Sequence, residues 1–227
     1  MLFNKALTVS LRRCLTITLL LGLGACSTIT DKPAKAPQPS AVEVAEQGGE
    51  VVPVLPPNPY YEKIPRTNDA AKQQFQQGVA AMQNNNWSEA ESAFNNLVNN
   101  YPRLSGPHLN LGIIARQKGD FELSKQHFSH AIEVNPSNQE AYNQLALLHR
   151  EQGEFKQAEK TFLQAIEIWP GYASIQLNLG ILYELYMGEM ESALQHYQNY
   201  QQLQSEPDKT IAGWIIDLQR RIKVASR

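Results

Sequence analysis

The sequence has few of the residues that build metal sites or disulfide frameworks. Its 227 residues include two cysteines, Cys14 and Cys26, and five histidines. Both cysteines lie near the N-terminus, so no disulfide is expected in the mature chain. No Gly-rich phosphate loop and no Gly-x-Ser-x-Gly nucleophile motif occurs. We therefore predict that the protein is not an enzyme, has no catalytic residues, and takes neither a metal nor a cofactor.

The sequence also lacks a large excess of charge of either sign. The chain has 20 basic and 22 acidic residues, a formal net charge of −2. Nucleic-acid-binding domains usually carry a strongly basic surface, so nucleic acid is not an expected partner. His127 and His130 share a helix face, but a metal site would need a further histidine or carboxylate beside them. We expect both to be exposed surface residues.

Long apolar runs are missing except near the N-terminus. Basic residues there precede an apolar segment, residues 14–23, which is too short for a membrane span. It ends in Leu23-Gly24-Ala25-Cys26, a pattern typical of a secretory signal over residues 1–25. The ending resembles the bacterial lipobox, which implies cleavage before Cys26 and lipidation of its thiol. Ser27 resembles the outer-membrane class of lipoproteins, with inner-membrane retention as the other outcome. The alternative is an ordinary signal peptide with a chance cysteine.

Residues 26–66 have no helical or strand periodicity. We predict a lipidated cysteine followed by a disordered or polyproline tether that acts as a passive spacer. Alternatively, Val51, Val52, Val54 and Leu55 dock on the folded domain or on a partner. Eight prolines punctuate this segment: Pro33, Pro37, Pro39, Pro53, Pro56, Pro57, Pro59 and Pro65.

The rest of the chain repeats with a period of 34 residues. Prolines, aromatic residues and small residues all recur at this step, which is a period typical of helical repeats. The recurring positions are Pro102, Pro136 and Pro170; Phe94, Phe128 and Phe162; and Gly78, Gly112, Ala146 and Gly180. This pattern resembles the tetratricopeptide repeat family. The resemblance implies an all-α solenoid of about four helical hairpins followed by a C-terminal capping helix.

The predicted repeats divide the folded region, residues 67–205, into four units, and residues 206–227 form the capping helix. The repeats span 67–104, 105–138, 139–172 and 173–205. In the fourth, Gly188 falls 35 residues after Gly153 instead of 34. One inserted residue is therefore predicted in the turn around Tyr186 to Gly188. Asp208 is a suitable N-cap for the last helix.

The family resemblance implies that the first helix of each repeat lines a concave groove. An apolar groove flanked by Arg116 and Arg150 would suit an amphipathic helix or an extended apolar segment of a protein partner. Alternatively, the C-terminal helix or part of the tether fills the groove from within. The predicted groove residues are Phe75, Val79, Leu109, Ile113, Arg116, Asn143, Leu147, Arg150, Leu177 and Ile181.

Together these features predict a lipid-anchored adaptor on the periplasmic side of the outer membrane of a Gram-negative bacterium. Its expected role is to bind a protein partner and to support assembly of an envelope machine such as a type IV pilus or a secretion system. In this it resembles the pilotins of type IV pili. The alternative is a structural subunit, or a scaffold for peptidoglycan enzymes or an envelope transport complex.

Overall fold

A computed structural model describes residues 55–227; the predicted signal peptide, Cys26, Ser27 and Val51 to Val54 lie outside the described residues. Within 55–227 the secondary structure is helical and contains no strand, which confirms the all-α solenoid. Two short elements, a 3₁₀ turn (Tyr61–Lys63) and a π turn (Leu182–Met187), accompany the α-helices. The α-helices are α1 (Asp69–Gln83), α2 (Trp87–Asn100), α3 (Ser105–Gln117), α4 (Phe121–Val134), α5 (Gln139–Glu151), α6 (Phe155–Ile168), α7 (Ala173–Ile181), α8 (Met190–Gln202) and α9 (Lys209–Ala225).

Consecutive helices pack as four hairpins, α1–α2, α3–α4, α5–α6 and α7–α8, and α9 packs on α8. Short polar side chains define where many of the helices begin, because each accepts a hydrogen bond from a free backbone N–H of the first turn. Asp208 does so for α9, bonding Thr210 N and Ile211 N. The other N-caps of this kind are Asn68, Asn86, Asp120 and Asn138.

The residues that recur every 34 positions meet in a shared contact. In each hairpin, a small residue on the first helix packs against an aromatic ring on the second. A Cβ on Gly112 would lie 2.5 Å from the ring of Phe128, closer than real Cβ contacts. The third hairpin accommodates Ala146 opposite Phe162, and both are fully buried. The same close approach recurs at Gly78 with Phe94 and at Gly180 with Tyr197.

Many of the buried apolar residues fall into two cores, while others, such as Phe128 and Leu148, are buried outside both. One core lies in the first hairpin and reaches into α3, with Phe94 and Leu97 fully buried. The other joins the third and fourth hairpins to α9, whose Ile211 and Leu218 are buried against Tyr197. Because α9 covers the end of the stack, it acts as the capping helix that the repeat pattern implies.

The predicted inserted residue is present as a π turn at the end of the first helix of the fourth hairpin. α7 continues into the wider turn Leu182–Met187, and Gly188 follows with φ 71°. Glu189 N then donates to Tyr183 O at 2.9 Å. A π turn absorbs one extra residue without ending the helix, so the core spacing on either side is kept.

The predicted passive spacer is wrong for the last residues of the tether. Residues 55–68, here called the N-terminal segment, lie across the loops between successive hairpins. Loop side chains donate hydrogen bonds to carbonyl oxygens of this segment. Three loop residues spaced 34 apart make these contacts: Trp169 Nε1 donates to Pro56 O (2.9 Å), Asn135 Nδ2 to Tyr60 O (3.4 Å), and the Tyr101 hydroxyl to Asn68 Oδ1 (3.1 Å).

The N-terminal segment runs in the direction opposite to the order of the repeats. Its first described residue, Leu55, lies against Gly171 and Trp169, in the loop between the third and fourth hairpins. Docking of Leu55 on the folded domain was the alternative prediction, and the structure favours it. The described part of the N-terminal segment therefore begins at the loop between the third and fourth hairpins and ends at α1.

Candidate functional site in the groove of the first helices

The first helices of successive hairpins form one layer, since α3 contacts α5 and α5 contacts α7. The predicted groove residues lie on these helices and on α1. All the apolar ones are half-buried: Phe75, Val79, Leu109, Ile113, Leu147, Leu177 and Ile181. Half-burial leaves apolar surface that a partner could cover.

Two of these apolar side chains differ from the rest. Leu109 and Ile113, one turn apart on α3, lie outside both cores. Both side chains keep part of their apolar surface exposed to solvent. The other five pack against a core: Phe75 and Val79 against the first, and Leu147, Leu177 and Ile181 against the second.

Arg116 is held by the next repeat instead of being free for a ligand. Its guanidinium makes two hydrogen bonds to the Glu151 carboxylate, one of them from Nε at 2.8 Å. Its Nη1 also donates to Gln144 Oε1 at 3.0 Å. Such a two-pronged ion pair is stronger than a single contact. Arg116 therefore ties α3 to α5, and its charge is balanced.

The polar network continues to Tyr172, which ends the third repeat and precedes α7. Gln144 Nε2 donates to Glu140 Oε1 at 2.6 Å, and the Tyr172 hydroxyl donates to the other oxygen of Glu140. Burial and the neighbouring Glu140 raise the pKa of Tyr172 well above its usual value, so its hydroxyl remains a donor. Together with Arg116, these side chains connect the second repeat to the third and reach the start of α7.

Asn143 is withdrawn from the groove. It is only 5 % exposed, and its Oδ1 accepts a hydrogen bond from Asn178 Nδ2 at 2.8 Å. This bond between α5 and α7 leaves little of Asn143 for a partner. Its role in the structure is to align neighbouring first helices.

Arg150 differs from Arg116, which occupies the equivalent position one repeat earlier. Its guanidinium carbon lies 5.6 Å from the ring centre of Tyr186, a cation–π distance. No carboxylate among residues 55–227 forms an ion pair with Arg150. The π turn exposes Tyr186 and Leu185 beside it. The groove prediction missed both residues, although the 35-residue step marked this turn.

The alternative, that the chain itself fills the groove, stays a prediction; the N-terminal segment and α9 lie near its two ends. At the first repeat, a cavity of about 320 Å³ lies between Phe75 and the N-terminal segment, with Ile64 in its wall. At the fourth repeat, Arg221 of α9 pairs with Glu184. The N-terminal segment and α9 thus reach the first and last repeats.

The histidines form a cluster that the sequence did not predict. His108 is 8 % exposed and lies 4.3 Å from His130 and 6.1 Å from His127, ring centre to ring centre. Burial and the two neighbouring rings lower the pKa of His108 to about 4, so it is neutral at pH 7. His130 is exposed as predicted, but His127 is half-buried.

The described residues offer neither a metal centre nor a membrane span. Within 55–227, no three His, Cys, Asp or Glu side chains are grouped to hold a metal ion. None of the helices in that range is both long and apolar enough to cross a bilayer.

Family models identify the repeats. Two tetratricopeptide repeat models match the chain, one at residues 74–103 and the other at 103–169 and 137–204, which together span more than half of it. The chain therefore belongs to the tetratricopeptide repeat family, whose fold is a scaffold for protein–protein interaction. Comparison with curated proteins gives no match.

Solved structures with this fold are similar in shape and distant in sequence. PilF of Pseudomonas aeruginosa aligns with a TM-score of 0.61 and 18 % identity over 68 % of this chain and 70 % of its own. TTC0263, a tetratricopeptide protein of Thermus thermophilus, gives 0.56 and 21 % over 66 % and 81 %. MamA of Desulfovibrio magneticus RS-1 gives 0.55 and 16 % over 70 % and 88 %. At these identities the likeness concerns the fold alone.

Proposed function

We propose that the chain is a lipid-anchored periplasmic adaptor without enzymatic activity. It is attached to the outer membrane through Cys26 and binds a protein partner in the groove of its first helices. The partner contributes an amphipathic helix or an extended apolar segment. Binding supports assembly of an envelope machine such as a type IV pilus or a secretion system.

The observation that carries this proposal is the pair Leu109 and Ile113. Both are half-buried, lie one turn apart on α3, and belong to neither core. Covering the surface that they still expose would stabilise a complex by about 25 cal/mol for each Å² buried. Because α3 is the second of the four first helices, this pair places the proposed ligand site in the middle of the groove.

Site-specific photo-crosslinking tests the groove. A photoreactive phenylalanine at Ile113 of the full chain should crosslink one protein in cells, whereas the same residue at Gln126, exposed on α4, should not. Leu109→Glu should abolish co-purification of that protein and leave the helical circular dichroism unchanged. Equal co-purification with Leu109→Glu would overturn the groove proposal.

Membrane fractionation tests the anchor separately. Cys26→Ser should move the protein from the membrane to the soluble fraction, because the thiol that carries the lipid is lost. Ser27→Asp should shift it from the outer to the inner membrane. Recovery of Cys26→Ser in the outer membrane would contradict the lipid-anchored localisation.

A further inference from the structure

The inserted residue in the fourth repeat places apolar side chains where the other repeats have polar ones. Leu185 is 68 % exposed and Tyr186 45 % exposed on the π turn. Counting back by 34-residue steps, the positions equivalent to this pair are all polar or charged. They are Glu151 and Gln152, Gln117 and Lys118, and Gln83 and Asn84.

The apolar patch spans two repeats. The ring of Tyr186 lies 5.1 Å from that of Phe155, the first residue of α6, and Arg150 of α5 lies over the same ring. Phe155 packs against the second core, so this side of the patch is anchored. Leu185 extends from the other side into solvent.

The patch also carries an unbalanced positive charge. The cations at neighbouring positions are balanced, since Arg116 pairs with Glu151 and Arg221 with Glu184. Arg150 has no such carboxylate among residues 55–227. Its guanidinium instead makes a cation–π contact with the ring of Tyr186. A guanidinium beside exposed apolar surface complements a carboxylate with apolar neighbours.

We propose that Arg150, Leu185 and Tyr186 form a docking site for a partner helix that presents apolar side chains next to an aspartate or glutamate. Aromatic residues and arginine dominate the binding energy of many interfaces, and here both types converge at one turn. The carboxylate pairs with Arg150, and the apolar side chains cover Leu185 and Tyr186. The site deepens the proposed adaptor function by assigning the charge of its partner, and it therefore rests on that function.

Crosslinking from the patch tests this assignment. A photoreactive phenylalanine replaces Tyr186 in the full chain in cells, in parallel with the Ile113 probe, and mass spectrometry identifies the attached peptide. The expected product is a helical segment of another protein with an acidic residue beside apolar ones. Attachment to a second copy, to lipid or to the chain's own residues 1–54 would overturn the proposal, as would no product.

Charge reversal supplies the stricter test. A peptide of the crosslinked segment is titrated with the full chain in detergent. Arg150→Glu should weaken binding at least tenfold, and changing the peptide's acidic residue to lysine should restore it; Arg150→Lys should retain most of the affinity. Leu185→Gln should weaken binding by a similar factor, and unchanged circular dichroism would exclude unfolding.

Equal affinity in Arg150→Glu and wild type would overturn the proposal. An Ile113 crosslink without a Tyr186 crosslink would leave the proposed function standing and remove only this site.

Discussion

The third and fourth hairpins bury the same kind of contact and end their first helices differently. In α5–α6, Phe162 covers Ala146; in the next hairpin, Tyr197 covers Gly180. The third hairpin turns at Gly153 with φ 76°, whereas the fourth inserts its π turn. A repeat can thus accept an extra residue in its turn because the contact between small residue and ring lies elsewhere.

The fourth hairpin also has a connection to the capping helix that the third hairpin lacks. The hydroxyl of Tyr197 donates to Glu184 Oε2 at 2.9 Å, and Arg221 of α9 pairs with the same carboxylate. Phe162 has no hydroxyl, so the third hairpin lacks this connection. Glu184 of the π turn therefore joins the core tyrosine to the capping helix, while Leu185 and Tyr186 of the same turn remain exposed.

Acid should destabilise the fourth hairpin through a histidine that the third lacks. His196 is 4 % exposed, its Nδ1 lies 2.8 Å from Gln176 Oε1, and burial lowers its pKa to about 4. The unfolded chain, with a histidine pKa near 6.5, takes up the proton first. Stability is then unaffected above pH 6.5 and falls as the pH drops toward 4. We expect a loss of about 2 kcal/mol between pH 6.5 and pH 5.

The equivalent residue of the third hairpin provides the matched variant. It is Thr161, whose hydroxyl donates to Gln157 O at 2.8 Å. His196→Thr should remove that part of the pH dependence in urea unfolding followed by circular dichroism, leaving the part due to His108. An identical fall in wild type and His196→Thr would contradict the assignment.

Gly180→Ala should cost about 1 kcal/mol of unfolding free energy, although alanine normally stabilises a helix by nearly that amount. The added Cβ would lie 2.5 Å from Cε1 of Tyr197, and such overpacking costs roughly 1–3 kcal/mol. The ring cannot shift freely because Glu184 holds its hydroxyl. In the third hairpin, Ala146 and Phe162 coexist without this restraint.

Urea unfolding of two variants decides the point. Adding Tyr197→Phe to Gly180→Ala should recover part of the loss, because the ring is then released from Glu184. If Gly180→Ala alone is as stable as the wild type, the restraint on Tyr197 is not significant.

Much of this fold follows from the spacing of a few residues, because each contact between a small residue and a ring lies within one hairpin. The step of 35 residues predicted the insertion but not its π form, which depends on backbone hydrogen bonds such as Glu189 N to Tyr183 O. The pairing of Arg116 with Glu151 depends on how one repeat sits on the next. The N-terminal segment has no periodicity, and its partners are loop residues distant in sequence.

The smallest expected effect on stability comes from a substitution in the loop between the third and fourth hairpins. Trp169→Phe keeps an aromatic ring and removes the N–H that donates to Pro56 O at 2.9 Å. We expect a cost of about 0.5 kcal/mol, at the low end for a hydrogen bond because this one is exposed to water. Local opening of the N-terminal segment should increase about twofold, and limited trypsin cleavage after Lys63, read by mass spectrometry, measures it.

Trp214→Phe is the control for this variant, because Trp214 is 42 % exposed on α9 and its ring packs against Tyr197, away from the N-terminal segment. It should cleave at the wild-type rate. Cleavage of Trp169→Phe at that same rate would mean that the contacts of Asn135 and Tyr101 suffice to hold the segment. The fourth repeat would then depend on its contacts with the third hairpin and with its capping helix, and not on the N-terminal segment.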